Sequence, residues 1–145
     1  MGFERRAAAA ALIVVFLLAG SLLAQTGEIY KARLSAVPAD ARTRPELAGI
    51  GSATATLSGA KITITGSFEG LRSAASMAQL HAASAAGIRG PVISDLTISQ
   101  TASGSITGSV DLTPQQIESL RKGGLYIQIH SQKAPDGVLW GWLLR

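Results

Sequence analysis

The feature that most constrains this chain is a series of short segments in which apolar and polar residues alternate between glycine- and proline-containing turns. In the first segment, 28–35, Tyr30, Ala32 and Leu34 fall on one side and mainly charged residues on the other. A period of two is the pattern of a half-buried β-strand. Further segments of this kind lie at 49–57, 62–68, 78–81, 92–99, 106–112, 125–131 and 138–144. The chain is therefore predicted to be all-β, with seven or eight short strands.

One helix interrupts this pattern near residues 113–122. Thr113, Pro114 and Gln116 form the sequence signature of a capping box with proline in the first turn. Gly123 follows directly and is suited to ending a helix. Short strands with one helix predict an antiparallel Greek-key β-sandwich, of the superoxide-dismutase-like or immunoglobulin-like kind.

The N-terminal segment predicts export. Arg5 and Arg6 precede an uncharged apolar stretch at 7–24, the layout of a secretory signal helix. We expect residues 1–24 to be a signal peptide and 25–145 to form the mature domain, periplasmic or extracellular. The stretch is also just long enough to remain as a membrane anchor, and membrane contact is expected only through it.

Composition excludes several classes of site. The chain has no cysteine, so disulfides, thiolate metal sites and a cysteine nucleophile are absent. The net charge is +4, but the basic residues are scattered, which argues against a nucleic-acid partner. No serine elbow, carboxylate pair or phosphate loop can be nominated. A catalytic role is left undecided and is less expected than a non-catalytic one.

Three segments together resemble the CHRD domain, a family named from chordin and common in exported bacterial proteins. They are 66–71 (GSFEGL) followed by Leu80-His81, then 87–92 (GIRGPV), and finally 124–131 (GLYIQIHS) with 135–137 (PDG). The resemblance runs from about Tyr30 to Leu144. It implies a β-sandwich and no established enzymatic activity.

The chain departs from this family pattern at two places. The family usually has His-Ile-His where this chain has Gln79, Leu80 and His81, and a histidine is retained at position 130. In the last strand, the family's glutamate, arginine and glutamine positions are Val138, Trp140 and Trp142. A strand face that is polar in the family is therefore aromatic and apolar here.

This aromatic face supports the leading hypothesis. Contiguous exposed apolar patches usually mark interaction surfaces, and tryptophan and tyrosine dominate such surfaces. We expect an exported binding or scaffold domain of the cell envelope that contacts a protein partner, or a second copy, through Tyr126, His130, Trp140 and Trp142. The alternative is that both sheet faces are covered and the tryptophans belong to the core.

Two other hypotheses stay open. His81 and His130 are candidate ligands for copper or zinc, in a redox or hydrolytic site, but need at least one further ligand that the spacing does not supply. The absence of any cofactor, with both histidines as hydrogen-bonded strand residues, is the more expected alternative. The third hypothesis is a membrane-anchored subunit of an envelope assembly that retains residues 7–24.

Overall fold

The structure is a computed structural model that describes residues 27–145. The predicted signal peptide or anchor lies outside the described residues. Among the described residues, no helix has the length and apolar character needed to cross a membrane.

The alternating segments form eight strands. They are β1 (Glu28–Ala36), β2 (Ile50–Ser58), β3 (Lys61–Glu69), β4 (Ala75–Ala82), β5 (Val92–Ile98), β6 (Gly104–Asp111), β7 (Leu125–Ser131) and β8 (Leu139–Trp142). A short 3-10 helix, Arg44–Glu46, lies between β1 and β2. The all-β prediction is confirmed.

The predicted helix is α1 (Pro114–Arg121), between β6 and β7. The Thr113 hydroxyl accepts a hydrogen bond from the backbone N–H of Gln116, and the Gln116 side chain accepts one from the backbone N–H of Thr113. The capping box is therefore formed. Leu120 is the residue of α1 that is fully buried against the barrel core.

The eight strands close into one antiparallel barrel, in the order β1-β2-β3-β6-β5-β4-β7-β8. The prediction of a sandwich was wrong, because β8 pairs with β1, through Ser35 with Trp140 and Ala36 with Leu139. Alternating strands are common to sandwiches and barrels, and only the pairing of the outermost strands separates the two. The placement of β3 beside β6 is a Greek-key feature and agrees with the predicted connectivity.

The barrel interior is filled by the apolar side of each strand. An eight-stranded barrel is just wide enough for side chains to fill, so the interior is a packed core. The largest fully buried side chains in it include Tyr30, Leu34, Ile62, Ile64, Leu80, Ile106, Leu125, Ile127, Ile129 and Leu139. This core fixes which residues of every strand point outward.

The outer surface of the barrel has two different parts. The loops 83–91 and 132–138 make hydrogen bonds to outward-facing side chains of β4 and β7, so this part is covered. The outward side chains of β1, β2, β3 and β6 are mostly exposed serine, threonine and basic residues. The tryptophans of β8 lie between the two parts.

Candidate functional site

Four aromatic side chains form one layer on the outer face of β4, β7 and β8. This outer aromatic layer consists of His81, Tyr126, Trp140 and Trp142. The strand register explains why they meet, because His81 pairs with Tyr126 and Tyr126 pairs with Trp142. Trp140 is two residues from Trp142 and therefore lies on the same face.

The rings of the layer contact one another directly. His81 stacks on Tyr126 with ring centroids 4.7 Å apart, and Tyr126 lies 5.0 Å from Trp142. The two tryptophans meet edge to face at 4.5 Å. Edge-to-face and offset arrangements are the favoured geometries of aromatic pairs. The layer is therefore a packed unit, in which the tryptophans are held by their neighbours.

The loop 83–91 covers the His81 end of the layer. Gly90 is its anchor, since its N–H donates to the Tyr126 hydroxyl at 3.0 Å and its carbonyl lies 2.9 Å from His81 Nδ1. The Arg89 guanidinium lies 5.5 Å from the centre of the Trp140 ring. A cation over an indole face is favourable, so Arg89 also holds the loop against the layer.

The loop 132–138 covers the other end of β7. Its backbone carbonyl oxygens accept hydrogen bonds from side chains of the strand. The Pro135 carbonyl lies 2.8 Å from His130 Nδ1, and the Asp136 carbonyl lies 2.9 Å from Gln128 Nε2. The Asp136 carbonyl also accepts from Arg89 at 3.3 Å. Arg89 therefore links the two covering loops.

The four predicted binding residues differ in accessibility. Tyr126 is 1% exposed and His130 is 8% exposed, both beneath the covering loops. Trp140 and Trp142 are half-buried. The structure brings Tyr126 and both tryptophans into one layer. His130 lies outside it, four residues from Tyr126 on the same strand. The tryptophans are the members of the predicted set that a partner can reach.

The two candidate metal ligands share one feature, a fixed tautomer. A backbone carbonyl can only accept, so in each neutral imidazole Nδ1 carries the proton and Nε2 has a free lone pair. Both Nε2 atoms are buried without a hydrogen-bond partner. A ligating histidine commonly has its other nitrogen bonded in this way.

The register nevertheless separates His81 and His130. His81 pairs with Tyr126 and His130 with Met77, and the row formed by Gln79 and Gln128 lies between them. Residues four apart on a strand are about 13 Å apart, so the two backbones are far from a shared ligand position. Within residues 27–145, no three His, Asp or Glu side chains are grouped to hold a metal ion.

Burial sets the charge state of His81. The pKa of His81 is lowered below its usual value mainly because burial disfavours the imidazolium, with smaller contributions from His130 and Arg89. The hydrogen bond to Gly90 acts in the opposite direction and only partly compensates. Burial therefore favours the uncharged form of the imidazole that stacks on Tyr126.

The exposed parts of Trp140 and Trp142 line an open groove of about 510 Å³ between β8 and β1. Lys31 and Arg33 of β1 form its opposite side, and Leu144 and Ala86 complete its apolar surface. We call this the tryptophan groove. Among residues 27–145, its lining contains two cationic side chains and no acidic one.

Sequence reasoning missed Lys31 and Arg33 as site residues. Their alternation with Tyr30 and Ala32 marks them as outward-facing. It does not show that β1 lies next to β8, because that pairing joins strands near opposite ends of the described chain. The closure of the barrel is therefore what turns a tryptophan pair into a groove with a cationic side.

The fold and site define a class: a small antiparallel β-barrel domain with an outer aromatic layer covered at one end by the loop 83–91. The comparison with protein families is specific, since the sequence profile of the CHRD domain matches residues 30–143. The chain belongs to the CHRD domain family. No match to a curated protein or to a solved structure was found.

Proposed function

We propose that this protein is an exported, non-catalytic binding domain of the cell envelope, and that its binding site is the tryptophan groove. The observation that carries the proposal is the meeting of Trp140 and Trp142 with Lys31 and Arg33 in one open groove. Large aromatic side chains supply contact area at low conformational cost, and the cations select the sign of the partner's charge.

The two cations are available to a partner. Both side chains are exposed, and within residues 27–145 neither forms an ion pair. By contrast, Arg121 and Arg145 are both bound to Glu28. The groove therefore favours an anionic partner. Tyr126 packs against both tryptophans, whereas His130 is hydrogen-bonded to Pro135 and lies outside the aromatic layer.

Binding to the envelope can be tested by sedimentation. We expect the purified domain to co-sediment with envelopes of the producing organism at low ionic strength and to be released by salt, because exposed charges are screened. Lys31→Gln combined with Arg33→Gln should reduce the bound fraction strongly. Lys133→Gln, which changes an exposed lysine outside the groove, is the control.

The tryptophans need a separate readout, because their removal also disturbs the packed layer. In the wild-type protein, the fluorescence emission of Trp140 and Trp142 should change when the envelope fraction is added. In the variant that combines Lys31→Gln with Arg33→Gln, adding the envelope fraction should leave the emission unchanged. Co-sedimentation that is equal for wild type and the double variant would contradict the proposal, provided both have the same urea midpoint.

A second candidate function is copper or zinc binding at His81 or at His130, each with its own ion, because the register keeps the two histidines apart. The observation in its favour is that each has a fixed Nδ1 and a free Nε2 lone pair. Calorimetric titration of untagged protein with Zn²⁺ and Cu²⁺ tests it. Stoichiometric binding that is lost in His81→Gln or in His130→Gln would support a site at that histidine, and the absence of stoichiometric binding would exclude this candidate.

Export itself is tested by the mass of the protein recovered from cells. A mature N-terminus at Gln25 supports a cleaved signal peptide. A chain that keeps residues 7–24 and fractionates with membranes supports the anchored-subunit hypothesis.

A further inference from the structure

The outward face next to the tryptophan groove carries an ordered array of hydroxyl groups. Paired residues of neighbouring strands place these side chains in rows that run across the strands. One row is Arg33, Ser52, Ser67 and Ser105, and the next is Lys31, Thr54, Thr65, Thr107 and Thr97. All of these side chains are exposed.

Trp142 continues the row of Arg33, and Leu144 continues the row of Lys31. The ladder that pairs Ser35 with Trp140 and bridges Lys31 to Leu144 places Arg33 beside Trp142. A second open groove of about 600 Å³ contains Arg33, Ser52 and Ser67 and so joins the tryptophan groove at Arg33. Neighbouring strands are about 4.8 Å apart, and the row from Trp142 to Ser105 spans five strands, or roughly 19 Å. This row forms one continuous surface that runs from an indole, past a cation, to three serine hydroxyls. We call it the track; its residues are Trp142, Arg33, Ser52, Ser67 and Ser105.

The closed barrel narrows the choice of ligand. An extended peptide usually binds by adding a strand to a free sheet edge, where backbone N–H and C=O groups are unpaired. The strands β1, β2 and β3, which carry the centre of the track, are each paired on both sides, so this mode has no free edge there. Recognition along the track has to use side chains alone.

We propose that the ligand of the tryptophan groove is an acidic polysaccharide that lies across the strands along this track; this rests on the proposed binding function. A sugar ring presents C–H groups that pack on an indole face. Its hydroxyls exchange hydrogen bonds with serine, and a uronic carboxylate pairs with Arg33 or Lys31. Each part of the track matches one part of such a chain.

The charge distribution limits where the carboxylates bind. Glu69 lines the second groove, beside Ile50 in the row next to Ser52 and Ser67. An acidic polymer is therefore attracted at the Lys31 and Arg33 end and repelled near Glu69. The serine part of the track has to recognise hydroxyl groups, which distinguishes a sugar chain from a simple polyanion.

The experiment measures binding of three polymers to the purified domain by tryptophan fluorescence and calorimetry. They are polygalacturonate, the neutral polymer dextran, and polyglutamate as a peptide polyanion. We expect polygalacturonate to bind at least tenfold more tightly than either of the others, with an affinity that falls as salt is added.

Matched variants test the two halves of the track. Arg33→Gln should weaken polygalacturonate binding about tenfold or more, the size expected for a lost charge-assisted hydrogen bond, while Lys133→Gln should not. Ser52→Ala with Ser67→Ala should weaken it severalfold, while Ser109→Ala, an exposed serine outside the serine row, should leave it unchanged. Far-UV circular dichroism and urea midpoints confirm that each variant is folded.

Three results would overturn the proposal. One is equal binding of polyglutamate and polygalacturonate, the second is indifference to the serine substitutions, and the third is the absence of polygalacturonate binding. If envelope sedimentation still depends on Lys31 and Arg33 in these cases, the binding function stands and only the ligand class is wrong.

Discussion

At the scale of single residues, Gln79, where the family resemblance predicts a histidine, makes a polar contact. Gln79 donates to Asp95 at 2.8 Å and pairs across the sheet with Gln128. Gln128 in turn is held by the Asp136 carbonyl. This row therefore ties β5, β4, β7 and the loop 132–138 together, and it occupies the space between His81 and His130.

His81 should make stability depend on pH. Its folded pKa lies below the unfolded value of about 6.5, so in that interval the unfolded chain binds more protons. The stabilisation is present above pH 6.5 and is lost as the pH falls toward the folded pKa. We expect urea midpoints to decrease from pH 7 to pH 5, and to decrease less in His81→Gln.

Glu28 also makes stability depend on pH, but at a lower pH than His81. Hydrogen bonds from Arg121 and Tyr30 lower the pKa of Glu28 to about 2, so its contribution to stability is lost only below about pH 4.5.

A histidine titration followed by NMR checks the lowered pKa of His81 directly. An imidazole midpoint at or above 6.5, assigned by its absence in His81→Gln, would contradict the burial argument.

At the scale of elements, local chemistry was sufficient for most of the fold. The strand at 125–131 was predicted with its observed ends, because a period of two is bounded there by glycine and by a turn. The short strand predicted at 78–81 is longer, Ala75–Ala82. Its alanines favour helix by propensity, and pairing with β5 and β7 overrides that preference.

The cap of α1 allows a quantitative test. Thr113→Ala removes the acceptor for the Gln116 N–H and should lower the free energy of unfolding by about 1 kcal/mol. Thr113→Ser keeps the hydroxyl and should restore nearly all of the stability. Urea unfolding of the three proteins measures the difference, and equal loss in both variants would show that the methyl packing matters instead.

At the scale of the whole molecule, the closure of the barrel was beyond sequence reasoning. Alternation predicts which side of a strand is buried but does not predict which strands are neighbours. For this reason the tryptophans were found from the sequence, while Lys31 and Arg33 were not. The covering loops were missed for the same reason, since Gly90 meets Tyr126 only after β4 and β7 have paired.

Gly141 is the position at which closure can be tested. A Cβ at this glycine would meet the Arg33 carbonyl oxygen and lie 2.8 Å from Leu34 Cδ2, so β8 could not approach β1 without a shift. Gly141→Ala should cost about 1–3 kcal/mol, as overpacking does. Leu144→Ala, at an exposed side chain near β8, should cost much less.

The same substitution should also change the tryptophan groove, because β8 and β1 form its two sides. We expect Gly141→Ala to shift the tryptophan emission of the native protein, whereas Ser109→Ala, at an exposed serine of β6 outside the groove, keeps the spectrum. A Gly141→Ala protein with wild-type stability and emission would show that the seam between β1 and β8 tolerates the extra methyl group.

The seam between β1 and β8 has a consequence for how the molecule reaches its native state. It joins segments that are distant along the chain, so its formation carries a large loop-closure entropy and is expected to be slow. Until then the outer edges of both strands are unpaired and can join another chain. The domain is therefore most prone to aggregate while folding, and completing the ring removes both edges at once.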